Sequence, residues 1–185
     1  MLSEQDKKTL LTVARDSIEH GLDANQPLKV ISAEYSHSLQ ENGAAFVTLT
    51  IKQQLRGCIG SLQAYQPLVK DVAEHAFDAA FKDPRFSPLS IAEFDAVHIH
   101  IEVLNPSQPI HFNSEQDLLN QLQPGVDGLI LSENFHKGTF LPTVWESLPV
   151  PEDFLAHLKQ KAGLPKNYWS DSIKIERYST EGFSE

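Results

Sequence analysis

The chain has 185 residues, 41% of them hydrophobic and 22% charged, and a formal net charge of −10 at pH 7. At this length roughly 70% of the unfolded surface is buried on folding, enough for one compact domain of one or two lobes. So acidic a chain, with no run of Lys or Arg to neutralise phosphate, is excluded as an ordinary nucleic-acid binder. A single cysteine excludes an internal disulfide and fits a reducing compartment. The stretch Met1-Leu2-Ser3-Glu4-Gln5-Asp6 has neither the basic nor the apolar part of a signal peptide, and no apolar run reaches membrane-spanning length. A cytoplasmic protein with no membrane or nucleic-acid partner is expected.

Taken in order, Ser3 caps a helix with Glu4 and Asp6 in its first turn, Leu10, Leu11, Ala14 and Ile18 recur at helical spacing, and Gly21 ends it. Asn42-Gly43 predicts a turn. Ala45, Val47, Leu49 and Ile51 alternate with Phe46, Thr48 and Thr50, a half-buried strand. Residues 55–62 form the next strand, although Lys52-Gln53-Gln54 lacks the Asn-Gly of a tight hairpin. Pro67 opens a helix over 67–82 whose broad apolar face includes Val72, Ala76 and Ala80, and Asp83-Pro84 stops it. In the strand from Val97 to Leu104, His98, His100 and Glu102 share one face. A short helix follows Ser114, two strands flank a connection from Asn134 to Gly138, a helix runs from Pro151 to Ala162, and Ile173 and Ile175 mark a last short strand. No strict βαβ alternation is present, so the fold class is α+β, a mainly antiparallel sheet flanked by helices, over one domain of residues 1–185.

The chemistry concentrates in Leu55-Arg56-Gly57-Cys58-Ile59-Gly60, which holds the one cysteine. On a regular strand Arg56, Cys58 and Gly60 share a face, with Arg56 and Cys58 about 7 Å apart at Cα. A guanidinium there favours thiolate, as a reactive cysteine requires, and Gly60 leaves the face open. Three readings remain: a small buried hydrophobe beside packing glycines, a binding cleft without covalent chemistry, and a nucleophile. Asp83 and Arg85 make either a helix stop with a local ion pair or, through Arg85, an anion contact. Trp145 and Glu146 either pack and cap or line a site for a polar small molecule. His98, His100 and Glu102 have acceptable geometry for a metal, yet no further ligand joins them. Neither metal nor cofactor is therefore expected.

The hexamer, with Ser61-Leu62, resembles the hallmark of the AMMECR domain family, whose bacterial members are called AmmeMemoRadiSam system protein A. Asp83-Pro84-Arg85-Phe86 with Pro88-Leu89-Ser90, Asp127-Gly128-Leu129-Ile130-Leu131, Phe140-Leu141-Pro142 with Val144-Trp145-Glu146, and Lys161-Ala162-Gly163-Leu164 are similar too. These blocks are collinear from about Phe46 to Trp169. The resemblance implies a two-lobed α+β fold with the hexamer lining a cleft between the lobes. It also implies a Memo-like protein and a radical-SAM protein as partners. It supplies no reaction. Two functions stay open: an enzyme or enzyme component acting on a small molecule, with Cys58 and Arg56 as catalytic candidates and Gly57, Gly60, Asp83, Arg85, Trp145 and Glu146 as binding candidates; or a non-catalytic binding or adaptor module. The chain departs from its relatives at Lys159, where they often carry a second cysteine, so a mechanism needing two thiols in one subunit is excluded. It departs again at His98 and His100, where acidic residues are frequent.

Overall fold

The computed structural model describes residues 2–185. In chain order its elements are α1 (Glu4–Ala24), a 3-10 turn (Ser32–Glu34), α2 (His37–Gln40), β1 (Asn42–Gly43), β2 (Ala45–Ile51), β3 (Gln54–Gly60), β4 (Gln66–Pro67), α3 (Leu68–Phe81), α4 (Ile91–Phe94) and β5 (His98–Leu104). There follow β6 (Gln108–Pro109), α5 (Glu115–Gln121), β7 (Gly128–Glu133), β8 (His136–Phe140), a second 3-10 turn (Pro142–Glu146), α6 (Pro151–Lys161), β9 (Lys174–Tyr178) and β10 (Thr180–Ser184). The class is α+β with antiparallel pairing, as composition and periodicity predict. Contacts divide the chain into two units, residues up to Leu104 with Glu181–Glu185, and Asn105–Thr180.

The first unit is a four-stranded sheet in the order β10-β5-β2-β3 with α1 and α3 on one face. Val47 and Leu49 lie opposite Ile101 and Ile99, and all four are fully buried against the helices. The other face therefore carries the alternate residues, Thr48, Cys58, His100 and Glu102. Ser3 and Asp6 close a reciprocal capping box on α1. The helix does not stop at Gly21. It runs to Ala24 and ends on Asn25, whose φ of 52° supplies the left-handed cap. Gly21 serves packing instead, since a Cβ there would lie 2.5 Å from the Phe81 ring of α3. Asn42-Gly43 is likewise not a turn but a two-residue strand paired with Gln66-Pro67.

The β2–β3 hairpin is tight despite lacking glycine: Lys52 and Gln53 both take positive φ, 51° and 64°, as a two-residue hairpin with the right twist demands. Helix α3 is buried along Val69, Val72, Ala73, Ala76 and Ala80. It also buries Asp71, whose carboxylate accepts the Ala45 N–H at 2.9 Å and lies 3.1 Å from His75 Nδ1.

The second unit has the sheet order β6-β9-β7-β8. Leu129, Leu131 and Ile175 meet Phe154 and Leu158 of α6 in its core. The β7–β8 turn is only Asn134-Phe135, shorter than the expected Asn134-to-Gly138 connection, and Asn134 takes φ 52°. Lys159 is buried, paired with Glu115, and its ammonium stands 5.5 Å from the Trp169 ring centre. The strand expected to be last is β9; β10 follows it.

Candidate functional site

The candidate site is built on β3, the edge strand of the first sheet. Its register with β2 pairs Leu49 with Gly57 and Thr50 with Leu55, leaving Arg56 as the extra residue of a β-bulge. That one insertion overturns the regular-strand expectation, because the period of two breaks at Arg56. Its guanidinium turns to Glu93, donating from Nε at 2.9 Å and from Nη2 at 3.2 Å, and reaches the Ser87 carbonyl at 3.0 Å. The Phe86 ring centre lies 5.8 Å from its Cζ. The pair with Arg56, the largest cause, lowers the Glu93 carboxyl to about 2. Arg56 is thus a structural tie from β3 to α4, where Glu93 also closes the capping box of Ser90.

Past the bulge, Thr48 and Cys58 sit directly opposite each other, and the Thr48 hydroxyl donates to Cys58 Sγ at 3.2 Å. The backbone of Cys58 faces the outer edge, where side chains replace a missing strand. Asp83 Oδ2 accepts the Cys58 N–H at 2.9 Å, and Arg85 Nη2 donates to the Cys58 carbonyl at 3.4 Å. Asp83 and Arg85 lock together through Nε to Oδ1 at 2.9 Å and Nη2 to Oδ2 at 2.7 Å. Asp83 is buried, whereas the Arg85 side chain is 54% exposed. Hydrogen bonds from Arg85 first, then from the Cys58 and Arg85 backbone, hold the Asp83 carboxyl well below the usual carboxylate range.

Burial pushes the Cys58 thiol up; the Thr48 hydroxyl and the Arg85 guanidinium pull it down, and the Asp83 and Glu102 charges add to the rise. The expectation of a thiol acidified by Arg56 is therefore corrected: the arginine beside the thiol is Arg85, and desolvation outweighs it. Gly57 admits close approach of α3, since a Cβ would stand 2.0 Å from the Ala79 carbonyl oxygen. Gly60 does not leave an open face, because its Cβ position is occupied by Phe46, whose Cγ lies 2.4 Å from it.

Trp145 and Glu146 belong to the second unit. Trp145 is buried, stacks on Phe154 at 3.7 Å between centroids, and donates from Nε1 to the Asp127 carbonyl at 2.7 Å. Packing occupies it. Glu146 beside it is exposed. His98 is exposed, His100 Nδ1 lies 2.7 Å from Ser184 Oγ, and Glu102 is buried. Among the described residues no three His, Cys, Asp or Glu side chains are grouped to hold a metal ion. Sequence reasoning missed Thr48 and Glu93. The capping signal Ser90-x-x-Glu93 was available to flag the latter; Thr48 needed the β2–β3 register.

A family model described as AMMECR1 matches residues 11–183. A protein of Methanocaldococcus jannaschii is 35% identical over 85% of this chain and 80% of its own length. One of Methanothermobacter thermautotrophicus is 33% identical over 100% and 96%. The crystal structure of an uncharacterised protein from Pyrococcus horikoshii superposes with a TM-score of 0.91 at 30% identity, covering 100% of this chain and 93% of that one. No helix among the described residues is long and apolar enough to cross a membrane.

Proposed function

Because the chain belongs to the AMMECR1 family, we propose that it is an enzyme component which takes a small polar, anion-bearing molecule beside Cys58. In this reading Arg85 is the anion contact and Cys58 the group presented to the ligand. One observation carries it. Both backbone groups of the single cysteine are held by buried Asp83 and half-exposed Arg85, so Arg85 is oriented by one carboxylate while much of its guanidinium still meets solvent. Partners for the Cys58 backbone answer the need of any edge strand; what points to a ligand contact is that the same arrangement leaves a preset, solvent-facing cation. Family membership supports a Memo-like and a radical-SAM protein as its working partners. Chemistry at the sulfur then depends on a ligand or partner that draws off the proton, since the thiol is held up by its own surroundings.

That raised thiol favours a second reading, a binding module that performs no chemistry. One experiment separates the two. Wild type, Cys58→Ala and Arg85→Gln are each equilibrated with deproteinised cell extract, and small molecules retained on ultrafiltration are identified by mass spectrometry. Retention by wild type, lost in Arg85→Gln, supports the site. A retained compound converted by wild type with the partners present, but not by Cys58→Ala, supports the enzyme. Equal retention by all three proteins would remove the site.

A further inference from the structure

A cavity that the Cys58 reading does not use lies wholly within the second unit. Strand β6 pairs with β9 only over Gln108–Pro109, and the pairing stops after the Ile110 N–H donates to the Ile175 carbonyl at 2.9 Å. A cavity of about 770 Å³ opens along the β9 edge there, a size usual for small-molecule sites. Ile110, Phe112 and Ile173 give it an apolar lining, and Ser132 and Lys174 supply polar groups.

Strand register decides which charges stand beside it. Ser132 of β7 lies directly opposite Lys174 of β9 on one side and Lys137 of β8 on the other. The three side chains therefore form a row on one face of the sheet, with the lysines about 10 Å apart at Cα. That face points away from α6, because Leu129 and Leu131, the alternate residues of β7, pack with Phe154 and Leu158. Among the described residues Lys137, Lys174 and the Ser132 hydroxyl make no ion pair or side-chain hydrogen bond. Both lysines are exposed. Carboxylates are plentiful on a chain of net charge −10, yet Asp171, which lines the same cavity, makes no ion pair with Lys174. Two like charges flanking one idle hydroxyl repel each other, and an anion between them relieves that repulsion.

We infer that this row binds the carboxylate of a small apolar acid. Ser132 donates its hydroxyl, Lys174 supplies the charge, and the apolar body of the ligand lies against Ile110, Phe112 and Ile173. A carboxylate fits better than a phosphate dianion, because Asp171 and Glu176 also line the cavity and repel further negative charge. Lys137 does not line the cavity, so its part is the smaller one. The site is independent of the Cys58 reading and stands or falls without it.

The test uses the full chain, isotope-labelled, and four probes: phenylacetate, its neutral counterpart phenylethanol, acetate and phenyl phosphate. Affinities are read by NMR titration. Phenylacetate should shift the amides of Ser132, Lys174 and Phe112 and bind more tightly than the other three. Lys174→Gln should weaken it about two- to fivefold, the scale of a solvent-exposed ion pair, and Lys137→Gln by less. Neither variant should change phenylethanol binding. Both lysines are exposed and unpaired, so each variant should keep the wild-type melting temperature and the comparison reads binding alone. Added salt should weaken phenylacetate and spare phenylethanol. Phenylethanol bound as tightly as phenylacetate would overturn the inference, as would phenylacetate binding unchanged in Lys174→Gln. Acetate matching phenylacetate would remove the apolar body, and tighter phenyl phosphate would remove the preference for a carboxylate; either overturns it. So would shifts confined to amides outside this cavity, or an acid that binds nowhere.

Discussion

Replacing Asp83 by Asn tests the clamp on β3 directly. The carboxylate accepts four hydrogen bonds, from the Cys58 N–H at 2.9 Å, the Arg85 N–H at 3.0 Å, and Arg85 Nε and Nη2 at 2.9 and 2.7 Å. An asparagine of the same shape keeps one acceptor oxygen and turns an NH2 toward these donors. At least one buried N–H then loses its partner, at about 1–3 kcal/mol. The lost ion pair adds only about 1 kcal/mol, because Arg85 is half in solvent. The expected loss is therefore roughly 2–4 kcal/mol, or about 4–16 °C in melting temperature for a chain of this size. Urea titration at neutral pH with calorimetry measures it. The pH dependence has a definite sign. The folded pKa lies below the unfolded one, so this stabilisation is present above about pH 4 and is lost as pH falls through the folded value. The gap between wild type and Asp83→Asn should close on acidification. A variant within 0.5 kcal/mol of wild type at neutral pH, with the same acid profile, would refute the clamp.

Native Cys58 should alkylate slowly at pH 8, with a rate still climbing above it; Arg85→Gln should slow it further and Arg56→Gln should leave it unchanged, since Arg56 is bound to Glu93. Thiol labelling against pH reads both, and an effect confined to Arg56→Gln would reverse the assignment. Gly57→Ala should cost about 1–3 kcal/mol by forcing β3 and α3 apart, measured by chemical denaturation. Ala76→Asp should cost on the order of 3 kcal/mol or more by placing an unpaired charge in the core, read as a large fall in melting temperature.

Much of this molecule can be read from period and punctuation. The helix over Leu68–Phe81, the strands at Ala45–Ile51 and His98–Leu104, and the capping Ser3 and Ser114 follow from apolar spacing and end signals that act locally. What escapes the sequence is set by pairing. The bulge that re-aims Arg56 exists only relative to β2, so a residue count along β3 alone puts the guanidinium on the wrong partner. Gly21 carries the ordinary sign of a helix stop, yet its missing side chain serves the Phe77 and Phe81 rings of another helix. The Lys52-Gln53 turn has no glycine because tertiary pairing of two strongly patterned strands outweighs the local cost of two left-handed residues. β10 is weakly patterned, and its place beside β5 depends on residues eighty positions away.

The first unit is discontinuous in sequence, and this shapes how the chain matures during synthesis. Residues up to Leu104 can gather α1, α3, β2, β3 and β5, but β5 keeps one ladder edge unpaired until residues 181–185 have been made. All of residues 105–180 leave the ribosome in that interval, several seconds at about 5–20 residues per second. During it a nascent chain displays an incomplete sheet edge, the kind of surface that recruits holdase chaperones or pairs with a neighbouring nascent copy. Arg15 is ready to close that interval: it already holds the Val97 carbonyl at 2.7 Å and, once the C-terminal segment arrives, binds Glu185 through Nε at 2.7 Å. A late latch of this kind makes the first sheet wait for residues 181–185 before its β5 edge is closed.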